Sequence, residues 1–457
     1  MWKLYSVSLC LSVLCGIVQD VLGSCQLTID SSSPPLIVNR FGTKTMLSQS
    51  SGVITRDDGV SIQLLCGGGV TYTANTGYGR TTKTGKGEML TLQCGSEGYF
   101  HDPVNNYDEN FRDPDDNYAY LEEPVNNYNL RELSVGCHEG IYQLFESNSS
   151  LPNCEGDMTL VLGHDLKELG SKNIAALCYD IVASRLKYIA YTTSSASNLV
   201  LGAEVGQLND VELDTTVNYR KSTFKPVRQT DIDAYVANVD QLAGLFESAS
   251  LVQDNGMEAM VTGYEDMMTT TWLRSLRSGN WRHWIAAMRL AARRGLHFDV
   301  RLGASGELQL PPSIGRGPCN ATRPMLIPLA GSVGGDTVRV PAHIWAHVHA
   351  LEPTGGVQDE FVIVGHNSPF VRSGSQSDLC SSMCDQVSWL QQDSLFASLH
   401  EFAIYGLVHC CRVEDVATKL DNFPGPYAKE KNKLGGARGA EPQGREFVAS
   451  TTDSNSL

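Results

Sequence analysis

Beyond its first two dozen residues the sequence has no apolar run long enough to cross a bilayer as a helix, which excludes a helical membrane span there. Positive charge is scarce: 35 Lys and Arg stand against 51 Asp and Glu, for a formal net charge of −16. Sequence-independent nucleic-acid binders draw most of their affinity from neutralising phosphates, so the overall balance argues against a chain that coats a polyanion with its whole surface. Common metal signatures are also missing. No D-x-D-x-D-G-x5-E loop occurs, which excludes an EF-hand. Cys380-x3-Cys384 has no second Cys/His pair at finger-like spacing, which argues against a zinc knuckle.

What is present begins with a leader. Residues 1–23 read as a signal peptide, with Lys3 as the basic start, an apolar stretch over 7–18 and Val21-Leu22-Gly23 ahead of Ser24. Secretion is therefore expected, and no membrane partner. Removing the leader takes Cys10 and Cys15 and leaves Cys25, Cys66, Cys94, Cys137, Cys154, Cys178, Cys319, Cys380, Cys384, Cys410 and Cys411. In an oxidising compartment most of these pair, and the odd count leaves one free or intermolecular. Asn148-Ser149-Ser150 and Asn320-Ala321-Thr322 are N-glycosylation sequons, which makes Asn148 and Asn320 the candidate glycan sites.

The texture changes along the chain, whose 457 residues suffice for one large core or two smaller ones. Short β-branched runs at 26–28, 36–38, 53–55, 60–65 and 89–93, separated by Gly and Asp turns, predict a small β-rich module. Pro103-Val104-Asn105-Asn106-Tyr107 recurs as Pro124-Val125-Asn126-Asn127-Tyr128 around a run of Asp and Glu, and reads as a solvated acidic loop. From about residue 177 the pattern is mixed. Strands are expected at 187–193, 199–201, 338–350 and 360–364, and helices at 231–251 (with Thr230 as N-cap), 281–294 and 385–407. Gly, Lys, Glu and Ser dominate from Pro424 onward, which predicts a disordered tail.

The charge distribution is more informative than its sum. No acidic residue occurs from 267 to 298, while Arg274, Arg277, Arg282, Arg289, Arg293, Arg294 and His283 do, interleaved with Trp272, Trp281 and Trp284. Guanidinium groups pair bidentately with phosphate and aromatics stack on bases. The plainer reading is an amphipathic helix with Arg on its wet face and Trp in the core.

That window contains Leu276-Arg277-Ser278-Gly279-Asn280-Trp281, with Ile285 and Arg289 one and two helical turns on. It resembles the F-N-x-G-N-W…E…R segment of the DNA/RNA non-specific endonucleases, the secreted arthropod branch in particular. Further landmarks follow in the family's order. Pro34-Pro35-Leu36 and 60–66 resemble its β-rich leader domain, Leu308-Gln309-Leu310-Pro311 its G-V-x-x-L-P turn, and Val340-Pro341-Ala342-His343-Ile344-Trp345 its V-P-x-x-x-W strand. Residues 362–369 resemble V-G-V-N-N-P, and 379–386 with Trp389 resemble L-C-x-x-x-C-D-Q…W. Together these cover most of 25–410.

The resemblance implies an α+β fold with a ββα-metal (His-Me finger) core, preceded by the small β-rich N-terminal module. The expected organisation is a leader at 1–23, that module at 24–100, the acidic repeat-containing insert at 101–130, the endonuclease-like domain at 131–423 and the tail at 424–457. It also implies a hydrolytic mechanism: a His from an R-G-H motif deprotonates water, Mg²⁺ on an Asn offsets phosphate charge, and a helix Glu and Arg assist. This sequence departs from it. No R-G-H occurs, and the corresponding stretch, 242–246, carries neither His nor Arg. Arg277 stands at the metal Asn and Ile285 at the helix Glu; a guanidinium has no lone pair to offer a hard cation. Arg289 alone is retained as a candidate catalytic residue. Arg294-Gly295-Leu296-His297 lies beyond the helix. Among other histidines, His283 lies on the helix, while His343, His347 and His349 share one strand face by alternation, a spacing a Zn²⁺ site also uses. With no supporting carboxylate nearby in sequence, they read as a partly polar face beside Trp345.

The expectation is a secreted family member with an inactive or strongly impaired site and no metal or other cofactor, binding DNA or RNA weakly through Arg274, Arg277, Arg282 and Arg289. The alternatives are a residual Mg²⁺-dependent endonuclease and a module retained for a protein partner.

Overall fold

The computed structural model describes residues 24–30, 34–41, 44–49, 52–76, 79–84, 89–96, 98–101, 133–139, 142–165, 171–193, 198–200, 206–218, 224, 226–237, 239–312, 314, 322–330, 336–356, 358–372 and 379–427. The expected leader, most of the acidic insert, Cys319, Asn320 and the tail beyond 427 lie outside the described residues.

The core is a nine-stranded antiparallel sheet. Its order runs Thr215–Thr216, Gln143–Glu146, Met158–Asp165, Ser171–Asp180, Arg185–Thr192, Phe298–Ser305, His343–Ala350, Glu360–His366, Val408–Cys411. The central strands are buried on both faces and read as nearly continuous apolar runs, as in Ala175-Ala176-Leu177 and Phe361-Val362-Ile363-Val364. On one face, Leu177, Val300, Ile344, Ala346, Val348 and Ile363 pack in one cluster with Trp281, Trp284, Ile285 and Met288 of the arginine-rich helix. On the other, Cys178, Tyr188, Trp345, Val362 and Val364 pack with Val413, Val416, Leu420 and Phe423. Alternation along each strand assigns its residues to these two layers.

The N-terminal β-rich region forms two further sheets, of five and six strands. Leu133–Glu139, after the insert, pairs in parallel with Ser24–Ile29, and Asn198–Val200 pairs with Lys44–Gln49. Strand pairing in this region therefore joins residues on both sides of the insert. Disulfides join Cys25 to Cys94 and Cys66 to Cys137 here, and Cys154 to Cys178, Cys380 to Cys411 and Cys384 to Cys410 in the large sheet. Ten of the eleven cysteines from Cys25 onward are thus paired. No helix among the described residues is long and apolar enough to cross a membrane.

Two expected helices differ. The 231–251 pattern splits into the Gln229–Val236 helix, a single turn at Asp240–Leu242 and the strand Phe246–Ser250. Gly244, at φ +70°, takes the chain out of helix between them. The Asp231 carboxylate caps the helix start by accepting from the Arg228 amide at 2.9 Å, so the cap lies two residues before Thr230. The expected 385–407 helix is a series of short turns around Ser394–Leu399, whose N-cap is Asp393. The expected 338–350 strand breaks at Val340-Pro341 into Thr337–Arg339 and His343–Ala350. The 281–294 helix is present as Arg282–Arg293.

Candidate functional site: the hairpin and the arginine helix

Phe246–Ser250 pairs antiparallel with Thr269–Leu273, Phe246 opposite Leu273, and the chain then turns directly into helix at Arg274. Two strands and a helix thus follow one another along the chain. The helix is irregular at its start. Arg277–Trp281 is a wide turn in which Gly279 leaves helical geometry, and regular winding resumes over Arg282–Arg293.

The resemblance motif explains this irregularity. A methyl group at Gly279 would collide with the Tyr405 carbonyl, so only glycine admits the 403–406 turn this close. Asn280 is fully buried and donates through Nδ2 to the carbonyls of Leu399 at 2.7 Å and Gly406 at 2.6 Å. Trp281 is also buried, edge-on to both Trp272 (centroids 5.3 Å apart) and Trp284 (5.4 Å). Asn367 of the G-H-N-S-P stretch does similar work from the sheet. Its Oδ1 accepts from the Leu273 amide at 2.5 Å, and its Nδ2 donates to the Thr271 and Pro341 carbonyls, both at 2.9 Å. These four residues position the hairpin and helix; none presents a reacting group.

At the positions where chemistry is expected, the side chains are occupied with one another. Arg277 Nη1 donates to Glu247 Oε1 at 3.0 Å, across the hairpin–helix junction. Arg274 Nε lies 3.7 Å from the other Glu247 oxygen. Glu247 immediately follows the 242–246 stretch where a base is expected and stands at the metal-Asn position's side, yet its carboxylate is taken up by two guanidinium groups. Arg289 Nε donates to Asp254 Oδ1 at 3.1 Å, and its Nη2 to the Gln253 carbonyl at 3.2 Å. Asp254 is itself the N-cap of the 255–260 helix, so Arg289 braces the loop between the two hairpin strands. Ile285 is buried in the apolar cluster. A site of two guanidinium groups, an isoleucine and one already neutralised carboxylate does not fit a hard divalent cation, which needs several free oxygen donors.

The charges of Arg277 and Arg289 are thus answered separately, by Glu247 and Asp254. The acid-free window of the sequence is not acid-free in space. Arg282 and Arg274 are exposed and His283 is half-buried.

The three like-facing histidines lie elsewhere. His343, His347 and His349 share their strand face with Trp345, which packs in the layer under 413–423, whereas the helix packs against Ile344, Ala346 and Val348. The sheet separates them from the hairpin, so none of them serves it as a base. His347 is fully buried, and its Nε2 lies 3.0 Å from Glu360 Oε1, a carboxylate partner that linear sequence did not reveal. Burial holds its pKa down to about 4, against the partial compensation of Glu360. His343 packs edge-on to His366 at 5.0 Å, and His366 Nε2 is 2.9 Å from His409 Nδ1.

On the same layer lie two ionisable residues that pattern reading missed. Asp299 accepts from Thr192 Oγ1 at 2.6 Å and from the Gln207 amide at 2.8 Å, and burial raises its pKa in spite of those bonds. Arg301 donates to Gln207 Oε1 at 2.9 Å and to the Gly425 carbonyl at 3.2 Å. Their i, i+2 spacing within an apolar strand is the available signal. Among the described residues, the one cluster with several potential ligand atoms close together is Cys154, Asp157 and Cys178, and its two sulfurs are joined as a disulfide. Of the sequon positions, Asn148 is exposed.

No known family matches the chain, and no curated protein is similar to it. Among solved structures, it is similar to a chain from the EndoG/EndoGI complex, a structure bearing on the mechanism of EndoG inhibition. Identity is 10%, the TM-score is 0.26, and the match covers 47% of this chain and 80% of that one. A likeness this slight carries no argument about fold or function.

Proposed function

We propose that this is a secreted protein with a nuclease-like hairpin-and-helix scaffold that does not hydrolyse phosphodiester bonds. The observation that carries the reading is the Arg277–Glu247 ion pair, 3.0 Å across the junction where the resemblance implies a metal ion. Hydrolysis needs a base to activate water and a cation to offset charge on the phosphate. The groups around the junction supply neither: the carboxylate is neutralised, the adjacent helix position is Ile285, and no histidine lies on the hairpin strands. Five disulfides support the extracellular reading. Arg274 and Arg282, exposed at the start of the helix, support weak and sequence-independent contact with DNA or RNA.

The test is incubation of the purified protein with plasmid DNA and double-stranded RNA in Mg²⁺ or Mn²⁺. No cleavage is expected. Cleavage that disappears in Arg289→Ala overturns the proposal and establishes a working nuclease.

One observation favours a protein partner as a second reading. Leu395, Phe402, Ile404 and Tyr405 are all exposed within one short stretch that packs against the Gly279 turn. Large apolar side chains gathered this way are typical of interaction surfaces. Gel shift against light scattering at rising concentration separates the readings: a salt-sensitive shift supports nucleic acid, and self-association supports a protein contact.

A further inference from the structure

The histidines at the end of the sheet form a continuous row that the proposed function does not use. His343 is the first residue of its strand and sits opposite His366 in the ladder. Their rings meet edge-on at 5.0 Å, as do those of His366 and His409. His366 Nε2 and His409 Nδ1 lie 2.9 Å apart, so one ring donates and the other accepts. His366 and His409 are each only 8% exposed. Beyond His409 lies His400, stacked on Phe396 at 5.3 Å, with its Nε2 3.9 Å from Glu401.

The charged groups facing this row are few. Asp421 faces His343 and is itself engaged by the Gly306 amide; Glu401 faces His409; the remaining ionisable neighbours are the histidines themselves. One proton can be accommodated on the outer nitrogen of whichever ring donates, with the His366–His409 hydrogen bond kept. A second cannot: each ring would then present an N–H to the other across 2.9 Å, within a poorly solvated layer.

The row also has a mechanical connection. The chain from 399 to 409 is closed on itself by one backbone bond and tied to the row by another. The Val408 amide donates to the His400 carbonyl at 2.9 Å, and the His366 amide donates to the Leu407 carbonyl at 2.9 Å. The same segment supplies the carbonyls of Leu399 and Gly406 that hold Asn280, and the Tyr405 carbonyl against Gly279. Gly406 has φ +80°, and a side chain there would strike Leu276.

We infer that the His343–His366–His409 row is an acid-sensitive latch: its protonation loosens the 399–411 edge of the sheet and releases the Arg277–Trp281 turn that this edge holds in place. Burial and mutual repulsion lower the basicity of all three rings, to about 4 for His343 and about 3 for His366. The sign follows directly. The unfolded rings take up protons from about pH 6.5 downward while the folded ones resist, so the latch holds above that range and weakens progressively as pH falls toward about 4. The inference stands whether or not the protein binds nucleic acid.

The experiment is hydrogen–deuterium exchange on the full chain, equilibrated at about pH 7 and about pH 4.5 and corrected for intrinsic rates. Protection of peptides spanning 276–282 and 396–411 is expected to drop by about tenfold or more at the acid pH, while the 171–192 strands keep theirs. In His366→Gln and in His409→Gln, read separately, that selective drop should shrink. If neither variant folds, His343→Gln at the outer end of the row gives the same reading. A loss of protection that is uniform over the sheet, absent in the wild type, or undiminished in a folded variant overturns the latch.

Discussion

On the helix-bearing side of the nine-stranded sheet, two buried amides hold the hairpin and the helix start in place. Asn280 and Asn367 hold five backbone groups between them, and the arginines meet carboxylates only at the rim. On the opposite side, beside the buried amide of Asn173, lies a larger set of ionisable groups: Asp299, Arg301, His347, and the His343–His366–His409 row. An amide keeps both its donor and its acceptor at every pH, whereas an imidazole loses its acceptor nitrogen when it is protonated. The two sides of one sheet should therefore respond differently to mutation and to acid.

The largest expected effect tests the amide side. Asn367→Ala removes three hydrogen bonds and leaves the Leu273 amide and two carbonyls without that partner, which should cost about 3 kcal/mol in urea unfolding, equally at neutral and acid pH. A marked pH dependence of that cost would break the contrast between the sides.

Next is the ionisable side. His347 is held near 4 by burial, so its contribution is intact above about pH 6.5 and is lost as pH falls, by about 3 kcal/mol once pH 4 is reached. Unfolding free energies measured across this range should fall steeply in the wild type and less steeply in His347→Gln. Equal slopes would show that His347 is not one of the acid-labile groups.

A smaller effect is expected at the rim. Arg277→Ala leaves the partly buried Glu247 carboxylate with Arg274 alone, at 3.7 Å, and should destabilise by about 1–2 kcal/mol. Combined with Glu247→Gln in a double-mutant cycle, most of that cost should vanish. Neither variant should acquire a Mg²⁺-dependent rise in Tm, since one or no free carboxylate remains at the junction.

The smallest effect on stability is at Arg282, exposed and outside both networks. Arg282→Ala should change unfolding free energy by less than about 0.5 kcal/mol. If the helix contacts nucleic acid, the same substitution should lower the salt dependence of a gel shift by about one unit of slope. An unchanged slope would remove Arg282 from the contact.

Much of this architecture was legible from local patterns. The amphipathic spacing of Trp284, Ile285, Met288 and Ala292 marks the helix that is present, and the β-branched runs mark most of the strands. The 231–251 stretch misled because apolar residues at helical spacing also fit a helix, a turn and a strand in succession, and only Gly244 hinted at the break. The motif around Trp281 was visible, but its role was not. Gly279 and Asn280 matter for what the 399–406 segment does to them, and that segment is over a hundred residues away.

Composition and periodicity were enough to establish the α+β class and the number of cysteines free to pair, because each depends on residue identity or on neighbours a few positions apart. Which charges meet was decided only by folding. Glu247 reaches Arg277, Asp254 reaches Arg289, and three histidines from separate strands stack in a row, because strand register and the Gly279 turn bring them within hydrogen-bonding range. A charge interacts through distance in space, and distance along the chain does not predict it.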